Sequence, residues 1–242
     1  MEDRPMTIIE HLEELRTRLL ISIAAFAVMT VLSFLVVERI LGVLIRPVGR
    51  VVFLAPTEAF FVRLKVAALA GALLSLPVVL FQAWRFIAVG LTRQERRYAL
   101  GLLPFSLVLF VGGAAFAFFL ILPVGVRFLL SYQTEQLVPM ISIGAYTSFA
   151  TAFILAFGLV FQLPVVVLLL ARLGIVTPAS LARGRRYAIL GIVVLSAVLT
   201  PGGDVVSQAL MALPTYLLYE VSIWVARIVA PKPAQQETLP TN

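Results

Sequence analysis

The stretch His11–Leu19, HLEELRTRL, sets two neighbouring carboxylates directly before a long apolar run. Ionised carboxylates bind cations, and they suit arginine best, because a planar guanidinium can donate two parallel N–H bonds. On a helical wheel Ile8, Leu12, Leu15 and Leu19 form one stripe, and Glu10, Glu14, Thr17 and Arg18 lie opposite. An amphipathic helix with Glu14 turned toward water is therefore expected, started by a Thr7–Glu10 capping box. The plainer role for Glu14 is an ion pair with Arg18 four residues on, and spacing alone favours it. Glu95 poses the same choice. It is the one acid of GLTRQERRYAL, beside Arg93, Arg96 and Arg97. Thr92 and Glu95 also have capping-box spacing, which would simply start a helix.

Three more polar groups lie in or beside apolar runs. Gln162 precedes Pro164 and could bond the carbonyl that the proline frees, or meet a partner helix. Glu220 could snorkel, pair with Arg227, or serve a polar site. Asp204 ends a TPGGD turn and is expected to cap the helix that follows. With no Cys and a single His, His11, thiol catalysis and disulfides are excluded and a histidine-ligated metal site is disfavoured. No nucleophile–base constellation is apparent. No enzyme activity, metal or cofactor is expected.

The elements that must position these groups are membrane spans. The chain is 61% hydrophobic and only 13% charged, with a mean hydropathy of +1.05. Soluble domains carry about 25% charged residues. Apolar runs suited to crossing a bilayer fall at 19–37, 59–87, 98–122, 146–171, 187–200 and 205–229, the third stopping at Pro123. The class is an all-α polytopic membrane protein with six transmembrane helices in a single domain over 1–230. The polar segment 231–242 reads as a flexible tail. The fifth span is short, and Gln208, Pro214 and Glu220 shorten the apolar part of the sixth. Short spans are met by thinned lipid or helix association.

Six spans leave both termini on one side. Thirteen basic residues lie there: Arg4, Arg16, Arg18, Arg85, Arg93, Arg96, Arg97, Arg172, Arg183, Arg185, Arg186, Arg227 and Lys232. Four lie opposite: Arg39, Arg46, Arg50 and Arg127. The excess places both termini in the cytoplasm, and the net charge of +7 needs no nucleic acid to explain it. No cleavable signal peptide is expected, since the first apolar run is long and its start acidic. GALLSLPVV (Gly71–Val79) and GLVFQLPVV (Gly158–Val166) share Gly-x4-Leu-Pro-Val-Val. Bends at similar depth near Pro77 and Pro164 are expected, as in a parallel repeat.

HLEELRTRL, LPVVLFQAWRFI, GLTRQERR, AFGLVFQLPVV and LTPGGDVVSQALMALPTYLLYE occur in the order and at about the spacings of the TatC family. The chain resembles that family up to about Arg227. The resemblance implies a curved, glove-like six-helix body in the cytoplasmic (inner) membrane. It implies a receptor for twin-arginine signal peptides in a translocase that exports folded proteins on the proton-motive force. Single-span TatA and TatB type proteins are the implied partners, around a homo-oligomer within a hetero-oligomeric complex. By the same resemblance Glu14, Glu95, Arg16 and Phe86 form the signal-peptide site and Gln162 and Gln208 meet partner helices. Pro47, Asp204 and Glu220 have structural or coupling roles. The family often has Glu where Gln162 stands, and TPGGD is one residue longer than the common turn. A different reading of the same residues is a small-solute secondary transporter with a midplane site near Gln162 and Glu220.

Overall fold

The computed structural model describes residues 8–131, 133–134, 140–200 and 204–229. The expected Thr7 cap, the 201–203 part of the TPGGD turn and the 231–242 tail lie outside them. Among the described residues the chain forms α1 (Ile8–Phe34), α2 (Val37–Leu44), α3 (Pro56–Val89), α4 (Arg93–Gly101) and α5 (Leu103–Phe116). A π-helical segment (Ala117–Ile121) leads into α6 (Leu122–Leu130). Then come α7 (Ile143–Val160), α8 (Leu163–Arg172), α9 (Pro178–Arg183), α10 (Arg185–Leu199) and α11 (Val205–Val229).

Five stretches are long and apolar enough to cross a membrane: Ile9–Phe34, Pro56–Val89, Arg93–Leu130, Ile143–Arg172 and Val205–Val229. The sixth, α10, has 15 residues, which reach only about 22 Å against a hydrocarbon core of about 30 Å. The expected stop at Pro123 is not a helix end, because helical backbone continues to Leu130. Pro123 falls in the first turn after the π-helical segment, where a missing N–H and a fixed φ are tolerated. The two repeat prolines also differ. Helix α3 continues unbroken through Pro77, whereas the chain leaves the helix at Phe161–Gln162 before Pro164.

Phe153 and Phe157 of α7 are fully buried with Val66 and Ala67 of α3, Ala117 and Leu122 at the π segment, and Met211 of α11. Around this core the helices form a row. Helix α1 packs chiefly on α3, α3 and α5 pack on α7, α8 packs on α11, and α10 packs chiefly on α11. Gly71 lets α1 approach α3 closely: a Cβ there would lie 2.7 Å from the Thr30 backbone. At the α2 end of the row, Tyr146 Oη donates to Leu44 O at 2.7 Å. Glu58 accepts from Gly144 N at 2.7 Å and from Ser142 Oγ, tying the start of α3 to the start of α7.

Candidate functional site

The antiparallel contact of α1 with α3 lays the first turns of α1 along the last turns of α3. There the His11 ring stacks on Phe86, with centroids 4.6 Å apart and planes 24° apart. One turn further, Arg18 Nε donates to Glu14 Oε1 at 2.8 Å, and Nη2 donates to the same oxygen. Arg18 Nη1 reaches across to Gln82 Oε1 on α3 at 3.0 Å. Gln82 is buried.

This geometry corrects the expected facing of α1. Leu12 is 57% exposed and Leu19 54%, whereas the Glu14 side chain is 24% exposed and lies against the protein. A helical wheel finds a stripe but not the solvent it faces. In a bilayer the apolar stripe meets lipid, and polar groups turn toward protein or an aqueous cavity. The Glu14–Arg18 pair expected from spacing is present, but it is anchored to a second helix. Gln82 was not among the candidate residues, yet like Gln162 it is a polar side chain within an apolar span, and that is its signal in the sequence.

Gly90 and Leu91 turn the chain from α3 into α4, whose start is fixed by the expected capping box. Thr92 N and Oγ1 donate to Glu95 Oε2 at 2.9 and 2.8 Å. Glu95 lies in this polar turn, before the apolar stretch that begins at Tyr98. The Arg172 guanidinium at the end of α8 sits 5.1 Å from the Tyr98 ring centroid. Glu14, Phe86 and Glu95 are thus brought to one end of the bundle, on α1, α3 and α4. Arg16 is on α1 at that end, exposed.

The remaining candidates lie elsewhere. Gln162 Nε2 donates to Ser106 O on α5 at 2.9 Å, not to a carbonyl freed by Pro164. The half-buried side chain lies at the break between α7 and α8 and bonds across to α5, the helix packed there. Glu220 does not pair with Arg227. Arg185 at the start of α10 holds it bidentately, Nε to Oε1 at 2.7 Å and Nη2 to Oε2 at 2.9 Å, and Tyr216 Oη adds a bond at 2.9 Å. Gln162 and Glu220 therefore serve different helices and build no common midplane site. Gln208 Nε2 donates to Val193 O of α10 at 3.1 Å. Asp204 Oδ1 accepts from Ser207 N at 2.7 Å, the expected cap of α11. Asp204 also lines a cavity of about 440 Å³ with Val48, the neighbour of Pro47, and Tyr146. That cavity belongs to the α2 end, away from Glu14.

Comparison with known proteins agrees with this architecture. Residues 10–214 match the family model described as Sec-independent protein translocase protein (TatC). The chain is 45% identical over 236 residues to the Sec-independent protein translocase protein TatC of Carboxydothermus hydrogenoformans, covering 96% of this chain and 97% of that one. The TatC of Aquifex aeolicus is 38% identical, covering 94% and 97%. A crystal structure of the twin-arginine translocase receptor TatC superposes with a TM-score of 0.83 at 37% identity, covering 90% of this chain and 99% of that one. In sequence, motif order and fold, this chain belongs to the TatC family of Sec-independent protein translocase proteins.

Proposed function

We propose that this chain is the receptor for twin-arginine signal peptides in a translocase that moves folded proteins across the cytoplasmic membrane on the proton-motive force. The observation that carries this reading is the placing of two ionisable acids, Glu14 and Glu95, from separate helices at one arginine-rich end of the bundle. Arg85, Arg93, Arg96 and Arg97 repel a cationic peptide from that end except where carboxylates are presented. Arginine suits such acids better than lysine because of its fork of donors. Phe86 and Arg16 border the same surface.

In this reading residues 1–230 are one six-span domain with both termini cytoplasmic, and 231–242 are a cytoplasmic tail. Gln162 and Gln208 meet the helices of single-span TatA and TatB type partners. Pro47, Asp204 and Glu220 have structural or coupling roles. The chain acts as a homo-oligomer within a hetero-oligomeric complex and performs no catalysis of its own.

The test is peptide affinity measured with the full chain in nanodiscs. Glu14→Gln and Glu95→Gln should each weaken binding of a twin-arginine peptide by about fivefold, the value of an exposed ion pair near 1 kcal/mol. Replacing both peptide arginines with lysine should shrink those effects in a double-mutant cycle. Strict additivity would mean that the acids do not touch the arginines.

A further inference from the structure

Glu14 already holds an arginine. Three donors of the Arg18 guanidinium are engaged: Nε and Nη2 on Glu14 Oε1, and Nη1 on Gln82 Oε1. The Arg18 side chain is only 14% exposed, and Gln82 is 8% exposed. Among the described residues Glu14 Oε2 has no hydrogen bond. A ligand guanidinium approaching Glu14 must therefore share this carboxylate with Arg18 or displace it.

We infer that Arg18 is a specificity-determining residue, an internal arginine whose hold on Glu14 a ligand must match, which arginine can do and lysine cannot. The inference rests on Glu14 being an arginine-binding carboxylate, and it deepens that reading. An unoccupied carboxylate attracts any cation, because Coulomb attraction alone scarcely distinguishes lysine from arginine. With Arg18 in place, binding becomes an exchange of one cation for another. The charge beside Glu14 hardly changes, so most of the Coulomb gain cancels. What remains is the difference in hydrogen-bond geometry and hydration. A ligand arginine offers the same planar fork as Arg18. A lysine offers a compact, strongly hydrated point charge and cannot reproduce the forked contact.

Gln82 sets how hard the exchange is. Its buried amide oxygen gives Arg18 a third bond from a different helix, which an ordinary surface pair four residues apart lacks. A merely structural Arg18 would support Glu14, so its loss would weaken ligands or leave their ranking unchanged. The competing Arg18 has the opposite sign.

The experiment uses the full chain in nanodiscs with two synthetic signal peptides that differ only in carrying two arginines or two lysines. Wild type, Arg18→Gln, Gln82→Leu and Glu14→Gln are titrated at one salt concentration. Arg18→Gln should bind both peptides more tightly, the lysine peptide gaining more, so that the arginine preference narrows by about threefold or more. Gln82→Leu should narrow it in the same direction by less, and it decides alone if Arg18→Gln does not fold. An unchanged or wider preference in the folded variants, with Glu14→Gln still weakening binding, overturns the role of Arg18 and leaves the receptor reading standing. If Glu14→Gln alters neither peptide, the receptor reading of Glu14 falls and this inference with it.

Discussion

Ser106 joins three stretches of chain through two hydrogen bonds. Its hydroxyl accepts from Trp84 Nε1 at 3.0 Å, and its carbonyl accepts from Gln162 Nε2 at 2.9 Å. Ser106 and Trp84 are both buried, so an unmatched partner has no water to turn to. Trp84→Phe keeps most of the ring and strands the hydroxyl, at a cost of about 1–3 kcal/mol. Gln162→Leu should cost about 0.6–2 kcal/mol, the range of interhelical hydrogen bonds in lipid. Thermal unfolding in detergent measures both, and because they share Ser106 the double variant should not be additive. Gln162→Glu separates donor from acceptor chemistry. A protonated acid can donate to Ser106 O, but a carboxylate only accepts. That variant should approach wild-type stability under acid conditions that protonate the carboxyl and fall below it under alkaline conditions that ionise it. Equal deficits at both would mean that the donated proton is not what matters.

At the scale of elements, Gly71 decides how closely α1 sits on α3. A side chain at 71 meets the Thr30 backbone, which cannot swing away, whereas a Cβ at Gly112 of α5 meets nothing within 4 Å. Gly71→Val should therefore destabilise by about 1–3 kcal/mol. Gly112→Ala should be neutral or stabilising by up to about 1 kcal/mol. Because Gly71→Val displaces α1 from α3, it should also loosen the Arg18–Gln82 contact and narrow the preference for an arginine over a lysine peptide. Similar melting of the two variants would refute the crossing. Helix α10 depends on the Arg185–Glu220 pair in another way. With these side chains 43% and 28% exposed, the pair is worth only about 0.2–1 kcal/mol globally. Its effect should be local. Glu220→Gln should speed hydrogen exchange in the first turn of α10 and leave α3 and α7 unaffected.

For the molecule as a whole, the row of helices has two thinly covered edges, α1 and α10. Leu12, Leu19, Leu190 and Val198 all lie more than half exposed there, as suits surfaces that meet lipid or other transmembrane helices. The proposed orientation rests on the excess of basic residues on one side. A reporter active only outside the cytoplasm should be silent when fused after Asn242 and active when inserted at the exposed Gly49 turn. The reverse pattern would overturn the proposed topology. Length is the second global variable. Adding one turn of leucine after Leu195 would carry α10 from about 22 Å to about 28 Å, close to the hydrocarbon thickness. The lengthened chain should insert but lose transport. Unimpaired transport would remove bilayer thinning from the account.

Hydropathy placed the five long apolar stretches because a bilayer selects runs of about 20 apolar residues wherever they occur. Short-range chemistry placed the Thr92–Glu95 and Asp204 caps, and the Glu14–Arg18 pair, because each partner lies within four residues of the other. Motif order placed the chain in its family. The tertiary structure alone decided the rest. Arg18–Gln82, Gln162–Ser106 and Arg185–Glu220 join residues 64, 56 and 35 apart, and only helix packing registers select such partners. The facing of α1 was illegible for a related reason. Its stripe can be read from a 3.6-residue period, but only the neighbouring α3 shows that Glu14 and Arg18 are turned inward.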